Sequence, residues 1–223
     1  DVSQPGAPRL LGAYPLSQDL AYIGKVAVAG NYAYLPTSVG LQTIDVTNPA
    51  APRRTSLFGS ASYFTSAAVE GNLLAVASVF DGVFFLDLTD PAKPLSRGRA
   101  DLRYMNNFFV GRSVAMSGHH VFVTSADDQD SKTGVLEIFD ASDPTSPQYV
   151  GAYEVPAVAR DVAVSGGLAV VTSNISPSDW SGRADILDVR DPSSPVLLAS
   201  FETSWGAKVS LAGDRAIDRK SVV

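Results

Sequence analysis

A proline-bearing turn recurs along the chain and constrains the fold more than any other feature. "IDVTNPAAP" at 44–52, "LDLTDPAKP" at 86–94, "FDASDPTSP" at 139–147 and "LDVRDPSSP" at 187–195 are near copies, and the opening "DVSQPGAP" is the tail of a fifth. Proline holds φ at about −65° and donates no backbone hydrogen bond, so each copy is a bend between strands and not the interior of a sheet. The Asp or Asn ahead of the proline caps that bend through its side chain. Asp45, Asp87, Asp140 and Asp188, with Asp1 as the fifth, therefore read as turn carboxylates and not as a catalytic set.

A second series keeps the same period. Gly30, Gly71, Gly118, Gly166 and Gly213 each follow a short apolar alternation: "VAVAG", "AAVEG", "SVAMSG", "DVAVSG" and "VSLAG". After the first four glycines come "YAYL", "LLAVAS", "HVFVTS" and "LAVVTS". A third run enters each Asp turn and a fourth leaves it, with no helical periodicity anywhere. Four short strands per repeat of 42–53 residues predict the blade of a β-propeller, which buries its faces only by stacking on its neighbours. The fold class expected is all-β, a propeller of about five blades of four antiparallel strands in a single domain, 1–223. The blades fall at roughly 20–60, 61–101, 105–153, 155–203, and 204–223 plus 1–15.

The units "VAVAGNYAYLP…GLQTIDVTNPAAP" and "DVAVSGGLAVVTS…ADILDVRDPSSP" resemble the LVIVD repeat of bacterial propeller proteins. The resemblance spans essentially the whole chain. It implies a propeller, frequently a binding role, and an exported or cell-surface location, and it carries no shared catalytic residues. Composition is compatible with this. The 223 residues suffice for a substantial core, and the formal charge of −6 argues against nucleic acid as a partner. No apolar run reaches membrane-helix length, so no membrane insertion is expected. The absence of cysteine excludes disulfides and thiolate chemistry.

The two ends of the propeller differ in their loops. The Asp-Pro turns and the Gly turns after the first strand are constant in length and share one end. The links between blades and the connections from second to third strand share the other, and only there does length vary, with insertions at 125–134 and 173–182. Function concentrates in variable loops on a rigid scaffold. A protein or small-molecule ligand is therefore expected at that end, at one mouth of the central channel.

Counting back from each glycine, the residues opening the channel are Gly24/Lys25, Thr65/Ser66, Arg112/Ser113, Arg160/Asp161 and Ala207/Lys208. Four cations and one carboxylate favour an anionic or strongly polar ligand; they also fit solvated strand ends paired with loop acids. Tyr22, Tyr63, Phe64, Phe108, Phe109 and Trp205 lie just upstream, with Trp180 in the fourth insertion. These aromatics fit either a ligand-binding rim, with Arg160, or packing between blades. The alternative function is a metal-dependent hydrolase of esters, lactones or phosphotriesters at the same mouth. By analogy with propeller hydrolases, Asp161 and Asn174, with Asn106 and Asn107 nearby, would hold a divalent cation (calcium or zinc), while Lys25, Arg112 and Lys208 would stabilise developing negative charge. Asp127, Asp128 and Asp130 offer oxygen ligands of the calcium type without the full EF-hand spacing. His119 and His120 are expected as surface residues of the constant end, pointing to opposite sides as strand neighbours do, and so not chelating one ion.

The fifth repeat is short of one strand. Projecting from Gly213, its Asp turn would lie beyond position 223. Two outcomes are expected: the N-terminal strand closes the ring against the C-terminal blade, or the chain is a fragment of a longer array, with a foreign or trimmed tail, whose exposed strand edges drive a homodimer.

Overall fold

Strand runs with apolar residues at alternate positions pair with their sequence neighbours through tight turns, and this builds the same unit four times. The computed structural model describes residues 1, 3–4, 6–16, 22–59, 62–103, 109–127, 133–176, 180–204, 207–212 and 215–218. Blade one comprises β1 (Ala27–Ala29), β2 (Tyr32–Thr37), β3 (Gly40–Asp45) and β4 (Arg53–Phe58). Blade two follows with β5 (Phe64–Glu70), β6 (Leu73–Ser78), β7 (Val83–Asp87) and β8 (Leu95–Ala100). Blade three holds β9 (Phe109–Ser117), β10 (His120–Asp127), β11 (Gly134–Asp140) and β12 (Gln148–Val155). Blade four holds β13 (Val158–Ser165), β14 (Leu168–Ser176), β15 (Ser181–Asp188) and β16 (Val196–Ser204). Each is a four-stranded antiparallel sheet in sequence order, and β17 (Val209–Ala212) with β18 (Arg215–Asp218) forms a two-stranded fifth.

The core lies between blades. One apolar cluster joins blades one and two around Tyr34, Phe64 and Leu86, another joins two and three around Phe85, Val121 and Phe139, and a third joins three and four around Phe122, Ile138 and Leu187. A small fourth cluster, Ala163, Val170 and Val209, ties β17 to blade four.

The proline turns are built as the sequence predicts. The side chains of Asp1, Asp45, Asp87, Asp140 and Asp188 each accept the amide two residues on, at 2.7–3.0 Å. Asn48, Asp90, Asp143 and Asp191 repeat that bond one step later, from Ala50, Ala92, Thr145 and Ser193. These turns also receive the preceding blade. A Cβ on Gly98 of β8 would sit 2.3 Å from the carbonyl oxygen of Pro144, and one on Gly151 of β12 would sit 2.5 Å from that of Pro192. Gly12 stands in the same relation to Pro49, at 2.1 Å. The N-terminal segment thus packs on blade one as an outer strand would. Among the described residues it forms no ladder with β17–β18, because in every complete blade the outer strand pairs through a third strand, and that sheet has none.

The insertions differ from their expected form as loops. β10 runs on to Asp127 and β11 starts at Gly134, while Asn174 pairs with Gly182 and Ser176 with Ser181. Much of the added length extends the ladders of blades three and four, because a hairpin satisfies its backbone groups by pairing.

Candidate functional site

Every complete inner strand from blade two onward carries a one-residue bulge at the same repeat position. In blade two, Phe64 pairs with Ser78 and Ser66 with Ala77, making Thr65 the extra residue. In blade three, Ser113 pairs with Thr124 and Gly111 with Ser125, making Arg112 the extra residue. In blade four, Ala159 pairs with Ser173 and Asp161 with Thr172, making Arg160 the extra residue. A bulge re-aims a side chain out of the regular alternation. Here it turns Thr65, Arg112 and Arg160 toward a cavity of about 300 Å³ that Tyr22, Tyr63, Val79, Phe80, Val110 and Lys208 complete. A second cavity of about 370 Å³ adjoins it, sharing Tyr22 and Lys208 and reaching Lys25 and Asp161.

The residues that follow the bulges meet at the axis. The Asp161 carboxylate is 1% exposed. Its Oδ1 accepts hydrogen bonds from Lys25 Nζ at 3.0 Å, Ser113 Oγ at 2.6 Å and the Val162 amide at 3.0 Å, while Oδ2 accepts the Val209 amide at 3.1 Å. Lys25 Nζ also donates to the Val162 carbonyl at 3.2 Å. Ser66 Oγ accepts the Val114 amide at 3.1 Å, and the Lys25 backbone bridges to β5 through Thr65 and Ala67. One carboxylate therefore ties blades one, three and four and the fifth sheet together, and blade two joins through Ser66.

Electrostatics distinguish the mouth from this hub. Burial, reinforced by repulsion from Arg160, lowers the Arg112 guanidinium to about 10 against the partial relief of Tyr22. Arg160 is lowered by burial as well, again with Tyr22 opposing. Both remain cationic at neutral pH in a setting that disfavours their charge, so an incoming anion would relieve that penalty. The rings of Tyr22 and Tyr63 lie 5.4 Å apart at 31°, and burial, then Tyr63, raises the Tyr22 phenol.

Of the residues singled out in the sequence, Tyr22, Tyr63, Arg112, Arg160 and Lys208 line the first cavity together. Lys25 and Asp161 border the second, bonded to each other. Asn174 is buried on β14, across from Val158 and Gly182, two ladder positions beyond the partner of Asp161. Trp180 is exposed in the fourth hairpin turn at φ 57° and is not among the cavity-lining residues. Asp127 ends β10, and Phe108, Trp205, Asp128 and Asp130, with Asn106 and Asn107, lie outside the described residues. Val79 and Phe80 were not anticipated. They sit in the second-to-third-strand connection of blade two, which has ordinary length, and a large exposed aromatic in a tight turn was the available signal.

The histidine pair corrects an expectation. His119 is a turn residue following Gly118 and not part of a strand, so alternation does not separate it from His120. The two rings lie 4.3 Å apart, and His119 Nε2 is 4.0 Å from Asp140 Oδ2. Burial, then His119, holds His120 below the ordinary histidine range.

Solved structures share this architecture. The Dos1 propeller superposes with a TM-score of 0.63 at 18% identity, covering 91% of this chain and 54% of that one. The periplasmic gluconolactonase PpgL of Pseudomonas aeruginosa gives 0.63 at 14%, covering 82% and 55%. The computationally designed Ika4 protein gives 0.55 at 13%, covering 75% and 93%. This chain spans about half the length of the first two. At such identities the likeness is one of fold. No curated protein matches the sequence. The LVIVD repeat matches residues 21–57, 111–155 and 157–203, which are blades one, three and four with their proline turns, more than half of the sequence. On that match, and on the radial blades it accounts for, the chain belongs to the LVIVD-repeat family.

Proposed function

We propose that this propeller is a binding scaffold whose variable-loop mouth takes a small anionic ligand, a carboxylate or phosphate ester with a flat apolar part. The observation that carries this reading is the convergence of Arg112, Arg160 and Lys208 with the Tyr22–Tyr63 pair on one cavity of about 300 Å³. That volume is at the lower end for ligand pockets. Guanidinium groups suit bidentate contact with carboxylate or phosphate, and the tyrosines and Phe80 offer ring faces to a planar group. Calorimetric titration with phenyl phosphate and benzoate, against benzyl alcohol as the neutral analogue, tests it. The anions bind and the alcohol does not, and Arg112→Ala or Arg160→Ala weakens binding about tenfold or more, as expected for a charged hydrogen bond. Equal binding of the alcohol, or variants without effect, refutes it.

A metal-dependent hydrolase of esters, lactones or phosphotriesters at the same mouth is the second reading, motivated by the fold shared with a gluconolactonase. Its support is weaker, because both oxygens of Asp161, its candidate metal ligand, are engaged by protein donors. A chromogenic ester and phosphotriester panel with and without chelator decides. Chelator-sensitive turnover abolished by Asp161→Ala would replace the scaffold reading.

A further inference from the structure

The proline-turn end holds a side-chain cluster that the mouth does not explain. Four of the five repeated turn carboxylates carry an arginine: Arg9 on Asp1 at 3.2 Å, Arg53 on Asp45 at 2.9 Å, Arg97 on Asp87, and Arg190 on Asp188. Asp140 is the exception. The residue opposite it on the outer strand is Gln148, whose side-chain amide donates to Ser146 instead, and no arginine or lysine ion pair reaches Asp140 among the described residues. In place of the arginine stand His119 and His120. Asp140 Oδ1 accepts the Ser142 amide at 2.8 Å, and Oδ2 is the oxygen that faces His119.

We infer that His119, His120 and Asp140 form a binding site for a divalent transition ion of the zinc type. One ligand atom from each of the three lies within 4.8 Å of the others. Tetrahedral zinc needs its nitrogen and oxygen ligands about 3.3 Å apart, so a closure of at most about 1.5 Å by side-chain rotation suffices. His119 and the Asp140 edge are exposed enough to make it. Two imidazoles select zinc, copper or nickel over calcium, and three protein ligands leave a fourth position for water or an external donor.

The turn does not require histidine. Gly30, Gly71, Gly118 and Gly166 share φ of 54–61°, yet the residues that follow are Asn31–Tyr32, Asn72–Leu73 and Gly167–Leu168 in the other blades. Because His120 pairs with Asp140 in the ladder, an ion here would clip the β9–β10 turn to the end of β11.

The test uses protein without a histidine tag, titrated with Zn2+ in competition with a chromogenic chelator and, separately, with Co2+ followed by visible absorption. The wild type takes up one equivalent, gives the intense bands of low-coordinate cobalt, and melts higher with zinc. His119→Asn installs the residue that blades one and two use at that position, so the fold is retained. Asp140→Asn keeps an oxygen for Ser142. Each variant weakens zinc binding by more than the about 10–100-fold typical of losing an outer contact, and neither melts higher with the metal. Absence of stoichiometric uptake by the wild type at millimolar zinc, or uptake unchanged in both variants, overturns the assignment.

Discussion

Removing the Asp161 carboxylate would leave Ser113 Oγ and the Val209 amide without their acceptor in the interior, while the half-buried Lys25 Nζ keeps the Val162 carbonyl. Asp161→Ala is expected to cost about 2 kcal/mol or more in urea unfolding, the size of leaving buried donors without their acceptor. Asp161→Asn should cost less, since its amide oxygen still accepts. A loss under about 1 kcal/mol for the alanine variant would show that the hub is not what holds the blades at the axis. Glu137 on β11 is the second buried carboxylate of consequence. It is fully buried, Oε1 accepts the Arg103 amide at 2.7 Å, and Oε2 has no hydrogen-bond partner. Burial raises it to about 7, against the partial relief of Arg103. The folded state therefore keeps a proton that the unfolded chain releases at about 4.3, so stability falls as pH rises through that interval and levels off above about 7. Glu137→Gln should remove this slope and raise the melting temperature at pH 8 by about 3 °C or more. An unchanged slope in the variant would assign it elsewhere.

At the scale of strands and turns, the repeat was legible because its chemistry is local. Proline, the capping carboxylates and the Gly turns state their geometry in a few residues, and the alternation between them states the strands. The bulges at Thr65, Arg112 and Arg160 were not legible in that way. They interrupt a period of two by one residue, and only pairing with β6, β10 and β14 reveals them. Counting back from the glycines still reached the bulged positions, because the bulge recurs at one repeat position. His119 was misread for the converse reason: a strand rule was applied to a residue that the turn had claimed. The glycines of the outer strands offer a direct check. Gly98→Ala and Gly151→Ala press a methyl onto a backbone carbonyl of the next blade and should each cost about 1–3 kcal/mol. Gly6→Ala, with nothing within 4 Å, should cost almost nothing. Equal melting temperatures for all three would mean that the blades do not seat on each other's turns.

Across the whole molecule, the two ends are built differently. The constant end is a ring of capped carboxylates with arginine partners, replaced at blade three by histidines. The variable end gathers cationic side chains, aromatic rings and connections of unequal length around one opening. Their meeting there depends on radial geometry, since Tyr22, Arg112, Arg160 and Lys208 are far apart in sequence. The most direct measurement is an NMR titration with phenyl phosphate that follows the side-chain Nε–Hε signals of Arg112 and Arg160 together with the backbone amides of Thr89, Ser142 and Arg190 in the proline turns. Both arginine signals should move along one saturating curve while the turn amides stay in place. Arginine signals that do not move, or that drift without saturation in step with the turn amides, would contradict the placement of recognition at this mouth.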